Sequence, residues 1–583
     1  MSVAGPAAKA GLVFAALMVT LPFVNPVHTY PIPGFYEAAL AIGLGLLAVA
    51  CLAQRNRSSN LGIPHIALWS AALSGFLFLQ STWPSAPYAE PAQLAGLYLL
   101  WAAAMMCAGF HLRAIFGAEK VADTLAASIL VAALANAGLG WIQMLDMTDF
   151  YGGWGAYPTK VSGFIAQRNL YANYLVVGVA CLLYLWKARR LSSFSTLIAA
   201  LLLASGIELS GSRASVLMLG WLFVFALWYV IKGRNLSIRR GLLIGAIALM
   251  LIGTIAAGTY LLMPHASVSA RVYTTVIQGT DIVSRVGMYK AAITSWLSAP
   301  FFGVGIDGYA WAHYQLATEW FEGDRITANA HDILLHSLVE MGLIGTTILV
   351  AGVGFWLVGS LRDLAAHRLL PQALAIAIVG IELAHSTVEF PLWSAEYLGF
   401  AALMMGVSDP KCILPSSVKT YAAMTAAVVI LGGALLVSTI GDYRELRRLD
   451  YAVSAKSPDD KSIRADLQGV AGRLEHSILH PYFDLRQAFS MQLASEDLEQ
   501  KIILNEKVMR LWPDYRLIQN QIVFLALAGR DQEGLALLAR LAKLQPWALN
   551  DLRNKLDGIS FAELPEGSPL RFRVDAQLPR VKK

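Results

Sequence analysis

Apolar runs recur along this chain from residue 10 to residue 441, each close to the ~20 residues that a helix needs to cross the hydrocarbon of a bilayer. No other feature restricts the fold as much. Inside hydrocarbon every backbone N–H and C=O must be paired within the protein, so repeated runs of this length read as helices. They predict thirteen spans, near 10–25, 36–53, 64–81, 92–110, 121–145, 169–186, 193–209, 214–231, 241–263, 331–359, 370–387, 394–408 and 420–441. The expectation is an all-α, polytopic membrane protein.

Charge sets the expected orientation. Only 14% of the 583 residues are charged. With the N-terminus placed inside, the short inner connections hold sixteen Lys and Arg, from Lys9 to Lys419, whereas the outer ones hold only Lys160, Arg168 and Arg213. Basic residues are retained on the cytoplasmic side, which predicts a cytoplasmic N-terminus and a C-terminal part outside. The net charge of +6 thus follows from topology and gives no reason to expect a nucleic acid partner. No small-residue cleavage site precedes the first span, which is expected to stay as a signal anchor. A bacterial inner (plasma) membrane is the expected location. Cys51, Cys107, Cys181 and Cys412 fall in spans or beside inner loops, so disulfides and thiolate metal sites are not expected.

Four regions follow: membrane helices over 1–263, a large outer loop over 264–330, further membrane helices over 331–441 and an exported domain over 442–583. Within the loop, Val286, Tyr289, Ile293 and Trp296 recur at helical spacing. They predict a helix at the membrane interface, broken by Pro300 and the glycines that follow. In the tail, "HPYFDLRQAF", "WPDYRLIQNQ" and "QPWALNDLRN" set Pro481, Pro513 and Pro546 at spacings of 32 and 33. That period is near the 34 residues of the tetratricopeptide helical hairpin. Such a stack offers a groove for protein or peptide, and a small helical domain bracing the membrane part would show the same pattern.

Titratable groups gather where "NAHDILLHSLVEMGLIG" (329–345) passes from polar to apolar. Ionisable groups at such a depth line aqueous cavities or carry function, and His331 is the histidine so placed. An interfacial histidine satisfied by a carbonyl is the plainer alternative. His336, about 140° further round a helix, faces elsewhere. Two arginines add to this: Arg213 in the tight turn "ELSGSRAS", and Arg285 at the head of the interfacial helix. Arginine's fixed fork of donors binds phosphate oxygens bidentately and stays charged. A headgroup contact or a snorkelling side chain would account for either one alone. Gly303, Gly305 and Gly308 in "FFGVGIDGY" read as a tight turn, since no strand or lysine of a nucleotide loop accompanies them. "GLIG" reads as close helix packing.

"SGSRAS", "SRVGMYKAAITSWLSAPFFGVGIDGY" and "NAHDILLHSLVEMGLIG", in this order, resemble the motifs of the O-antigen ligase and polymerase superfamily of bacterial membrane glycosyltransferases over residues 160–410. "GFIAQRNLYANYL" (163–175) and "HSTVEFPLW" (385–393) are similar to its O-linked protein oligosaccharyltransferase branch, the PglL type that glycosylates pilins. The resemblance implies a GT-C-type fold and transfer of a glycan from an undecaprenyl-pyrophosphate carrier to a hydroxyl of a periplasmic protein such as pilin. It implies neither cofactor nor metal. It places the arginine pair on Arg213 and Arg285, the essential histidine on His331 and the branch's glutamine on Gln167. Phe390 stands where relatives read Tyr, and Asp332 where Asn is usual.

These assignments make His331 the general base, since an imidazole accepts a proton near neutral pH. Arg213 and Arg285 stabilise the departing pyrophosphate. Gln167, Arg168, Asn169 and Arg325 are candidates for holding substrate, and Glu389, His385 and Asp332 for orienting the base. An O-antigen ligase or a polysaccharide polymerase would use the same donor with a glycolipid or glycan acceptor. A transporter would need polar groups at the middle of several spans, where this chain offers Glu208 and Glu382.

Overall fold

Apolar segments become helices here wherever a start or stop signal bounds them. In a computed structural model, residues 5–53, 62–83, 86–147, 161–234, 282–320, 326–413, 418–454 and 462–557 are described. The first helices are α1 (Pro6–Met18), α2 (Phe35–Ala53), α3 (His65–Gln80), α4 (Glu90–Phe116), α5 (Ala118–Met144), α6 (Arg168–Lys187), α7 (Ser193–Leu209) and α8 (Ala214–Arg234). Proline sits in the first turn of α1 and α4, where its missing N–H costs nothing. After the predicted span 241–263, which lies outside the described residues, come α9 (Ile282–Ser298), α10 (Tyr309–Trp320), α11 (Ile333–His367), α12 (Leu370–Ser386), α13 (Ala395–Ser408) and α14 (Val418–Ser454).

Eight of the described helices are long and apolar enough to cross a membrane, and four more are shorter and apolar. These twelve coincide with twelve of the expected spans, so the chain is a multi-pass membrane protein, nearly all-helical among the described residues. Strand structure among the described residues is one antiparallel pair, Ile63–Pro64 with Cys412–Ile413.

One continuous core fills the bundle, centred on α4, α5, α6, α12 and α13. At the closest crossing, α4 meets α13 backbone to backbone. A Cβ on Gly109 would lie 2.1 Å from the Leu403 carbonyl oxygen, and one on Gly406 1.9 Å from that of Met106. Only glycine fits there, the close approach by which membrane helices gain packing.

Helix α11 departs from the single span expected over 331–359. Gly342, at φ 63° and ψ −169°, breaks it into a half-helix, 333–341, and a spanning half, 343–367. A break frees backbone groups that lipid cannot satisfy. The loop after α9 supplies them. Val304 and Gly305 donate N–H to the carbonyls of Val339 and Glu340 (2.8 and 3.1 Å), while Leu343 and Ile344 donate to those of Pro300 and Phe301 (2.8 and 3.1 Å). Gln80 of α3 adds Nε2 bonds to the Phe302 and Glu340 carbonyls. The glycines of "FFGVGIDGY" therefore shape a turn that docks on the break, and the glycine of "GLIG" gives both close approach and the interruption itself.

Helix α9 ends before Pro300, as expected. Val286, Ile293 and Leu297 are exposed along it, whereas Trp296 turns inward against Ala292, Tyr309, Ala330 and Val339. The predicted apolar stripe is thus shared between the surface and this core.

Helix α14 covers 37 residues, about 55 Å at 1.5 Å per residue, so the boundary expected at 441/442 falls inside one helix. Beyond it lie α15 (Ser462–Leu474), α16 (His480–Phe489), α17 (Leu498–Met509), α18 (Tyr515–Leu527), α19 (Asp531–Leu544) and α20 (Leu549–Asp557). Pro481 starts α16, Pro513 stands just before α18, and Pro546 opens the 3-10 turn before α20. The repeat in the sequence is therefore a repeat of helix starts, with α16/α17 and α18/α19 as successive hairpins.

Their core also takes in Trp311 and Tyr314 of α10, and Arg540 lies 5.3 Å from the Tyr314 ring centroid. A charged cluster fixes the other side. His480 reaches Glu90 at 3.1 Å and Asp484 at 3.2 Å, while Tyr88 Oη and Lys507 Nζ both donate to Asp484.

Candidate functional site

Four backbone turns meet at the end of the bundle where α6, α8, α11 and α13 begin. The first precedes α6. Gly163 and Ala166 take positive φ (57° and 62°), and buried side chains hold this turn's backbone. Ser162 and Gly163 donate N–H to Gln143 Oε1 (3.1 and 2.9 Å), and Phe164 donates to Asn136 Oδ1 (2.9 Å). Both acceptors belong to α5. The sequence reading passed over them, although an Asn and a Gln inside an otherwise apolar helix are themselves a signal. Gln167 is the N-cap of α6, its Oε1 accepting from Leu170 N–H at 2.6 Å. Because that donor must meet the oxygen, the amide –NH2 is the end left to face a ligand. Arg168 opens α6, half-buried.

The second turn joins α7 to α8. Gly211 has φ 61°, Ser212 N–H donates to Ser210 Oγ at 3.0 Å, and Ser215 Oγ donates to the Ser212 carbonyl at 2.7 Å. These serines hold the turn that carries half-buried Arg213. Ser212 Oγ, fully buried, donates to Asn169 Oδ1 at 2.7 Å. Glu208 lies at the end of α7 beside this turn, away from mid-span.

Helix α12 is followed by the segment 389–393. Glu389 Oε1 accepts from Asn169 Nδ2 at 2.7 Å, and its Oε2 stands 3.6 Å from His331 Nδ1. That separation is slightly beyond a hydrogen bond, and His331 Nδ1 is buried with no other acceptor. His331 itself has φ 50°, a left-handed backbone that costs a non-glycine residue energy. Its side chain is 30% exposed, so the ring reaches solvent while Nδ1 faces the carboxylate. The Phe390 ring lies 5.7 Å from the imidazole.

Hydrogen bonds and one 3.6 Å carboxylate–imidazole contact thus join Arg213's turn to His331 in the order Ser212, Asn169, Glu389, His331. The remaining predicted groups fall elsewhere. Asp332 is the N-cap of α11, its Oδ1 accepting from Leu334 and Leu335 N–H at 2.9 Å, so its charge serves the helix terminus. His385 is fully buried one turn deeper, its Nδ1 2.7 Å from Asn173 Nδ2, and Glu382 accepts from the same amide. Neither is placed against His331, whereas Glu389 is.

His336 points into the protein against Glu340 (3.2 Å), with Tyr309 and Trp393 as ring neighbours. Arg285 lies in the first turn of α9, with its side chain outside the described residues. Arg325 also lies outside them. No group of three His, Cys, Asp or Glu side chains suited to a metal occurs among the described residues.

Two protein families match this chain. Residues 198–350, which contain the arginine turn and His331, match the family described as O-Antigen ligase. Residues 373–553, which contain Glu389 and the C-terminal hairpins, match the family described as Virulence factor membrane-bound polymerase, C-terminal. A curated relative, the general O-oligosaccharyltransferase of Acinetobacter baylyi (strain ATCC 33305 / BD413 / ADP1), is 22% identical over 450 residues, which cover 74% of this chain and 75% of the relative.

Proposed function

We propose, for a chain that belongs to the O-antigen ligase family of membrane glycosyltransferases, that it transfers a glycan from undecaprenyl pyrophosphate to a hydroxyl of an exported protein, pilin-like in kind. The observation that carries this reading is the linked series from Arg213's turn through Ser212, Asn169 and Glu389 to His331. The series links the turn of Arg213, the fork for phosphate in this reading, to His331, its base.

In the reaction the acceptor oxygen attacks the anomeric carbon, the bond from that carbon to the pyrophosphate oxygen breaks, and the acceptor proton passes to His331. Glu389 beside Nδ1 favours the tautomer with hydrogen there, leaving the Nε2 lone pair to take the proton. The 3.6 Å contact shortens once substrate is bound, as catalytic hydrogen bonds in unliganded sites commonly do. Arg213 and Arg285 stabilise charge that grows on the leaving pyrophosphate, an interaction stronger in the transition state than in the ground state. Gln167 donates its amide –NH2 to donor oxygens beside Arg168 and Asn169, and Arg325 is a further candidate for holding substrate.

The site opens to the outer leaflet of the bacterial inner membrane, with the N-terminus cytoplasmic and the C-terminal hairpins periplasmic. Reporters active only outside the cytoplasm should work after residue 445 and fail after residues 190 and 365. The hairpins form a tetratricopeptide-like domain that receives the acceptor. Removing 450–583 should then depress transfer to protein more than donor binding. Equal loss of both would mean bracing, for which the packing of Trp311 and Tyr314 into the hairpin core already supplies a route.

The deciding experiment supplies purified chain with undecaprenyl-pyrophosphate oligosaccharide and either an exported acceptor protein or a glycolipid, with products read by mass spectrometry. Glycan on Ser or Thr of the protein supports this reading. Glycan only on the glycolipid, or on a second lipid-linked glycan, assigns the chain as a ligase or polymerase.

A further inference from the structure

A buried imidazole grips the turn that precedes α6. His28, in the loop between α1 and α2, has a side chain 2% exposed. Its Nε2 lies 2.7 Å from the carbonyl oxygen of Phe164, and its Nδ1 lies 2.8 Å from Glu37 Oε1. A carbonyl only accepts. As a carboxylate Glu37 only accepts as well, and its Oε1 also takes the Asn25 Nδ2 hydrogen at 3.0 Å. Both ring nitrogens must therefore carry hydrogen, which only the imidazolium does.

We propose that His28, as a buried imidazolium, is a positioning residue for the glycosyltransfer site. It holds the 161–167 turn in the shape that presents Gln167, Arg168 and Asn169, and it lets go when deprotonated. A neutral imidazole has one N–H, so either the Phe164 carbonyl or Glu37 loses its donor.

The bond to Phe164 completes the turn's anchoring. Asn136 and Gln143 take the N–H groups of Ser162, Gly163 and Phe164, and Gln143 Nε2 takes the Gly163 carbonyl. Three residues beyond Phe164 is Gln167, the cap of α6, and five beyond is Asn169, which holds Glu389 against His331.

The charged surroundings favour the cation. Burial by itself lowers the pKa of His28, but the hydrogen bond and charge of Glu37, with the Phe164 and Pro33 carbonyls, outweigh it and the net shift is upward. Glu37 comes from α2, and Glu396 at the start of α13 also interacts with both Glu37 and His28. A raised pKa means the grip is complete below the ordinary histidine value and is lost as pH rises through the folded one.

This inference rests on the site reading above, and its test does not need transfer to occur. Hydrogen exchange of the Ser162, Gly163 and Phe164 amides is followed in the full chain in detergent from pH 6 to 9, corrected for the intrinsic rate at each pH. Expected in the parent is a loss of protection on the alkaline side. Glu37→Gln should move that step to lower pH, and His28→Gln should give lower protection than the parent at pH 6 with no step. Where transfer is measurable, kcat should follow the same profile in parent and Glu37→Gln. A parent with no step, or a step that Glu37→Gln leaves in place, overturns the proposal. Absence of transfer alongside the expected exchange profile would count against the assigned reaction and leave the His28 brace standing.

Discussion

Replacing Gly342 with alanine tests whether the break in α11 positions His331. The backbone there, φ 63° and ψ −169°, lies in a region that residues with a Cβ avoid, at a cost of about 1–3 kcal/mol. The added Cβ would sit 2.4 Å from Phe301 C and Phe302 N and 2.5 Å from Gly303 N. All three are backbone atoms, so no side chain can swing aside. Relief requires the loop to withdraw, which opens the Val304, Gly305, Leu343 and Ile344 hydrogen bonds, each worth about 1 kcal/mol net. Local opening should therefore become easier by about 3 kcal/mol or more even if only two of these bonds fail, roughly a hundredfold in the opening equilibrium. Hydrogen exchange of the Val304 and Gly305 amides reads this directly. Transfer should fall with it, because the half-helix 333–341 that follows His331 is aligned by those bonds, while the chain still folds and inserts. Unchanged protection at 304–305 in a Gly342→Ala protein would refute the clamp, and lost protection with normal transfer would refute its link to His331.

Three other outcomes are expected. His331→Ala should lose about 10²–10⁴-fold in turnover, the usual contribution of a general base, yet still bind donor, whereas turnover within a few-fold of the parent across pH 5 to 8 would remove it as the base. Arg213→Lys or Arg285→Lys should cost about 10²-fold in kcat, since a point charge does not reproduce a fork on pyrophosphate, and normal kinetics in both would end the phosphate-clamp assignment. His480, whose pKa is raised to about 9 chiefly by Asp484 and then Glu90, should stabilise docking of the C-terminal hairpins fully below its unfolded value near 6.5 and progressively less as pH rises towards 9; thermal melts over that window should show the loss in the parent and not in His480→Gln.

The sequence by itself determined that this chain is a stack of membrane helices. Burial of apolar side chains and internal pairing of the backbone are properties of each segment, readable without knowing its neighbours. Pro481, Pro513 and Pro546 marked helix starts in the same local way, and the motifs brought His331, Arg213 and Gln167 forward. Which polar groups meet was settled only by tertiary structure. Asn169 and Glu389 are 220 positions apart, and His28 and Phe164 are 136 apart. Their contact depends on how α2, α6, α12 and α13 pack, which no local window contains. Asp332 looked like an anion for the base and proved to be a helix cap, because its backbone position decides what its oxygen meets. Gly342 shows the same limit: glycine in an apolar run serves close packing and a broken helix alike, and only the loop carrying Pro300 to Gly305, docked on freed backbone groups, makes it a break.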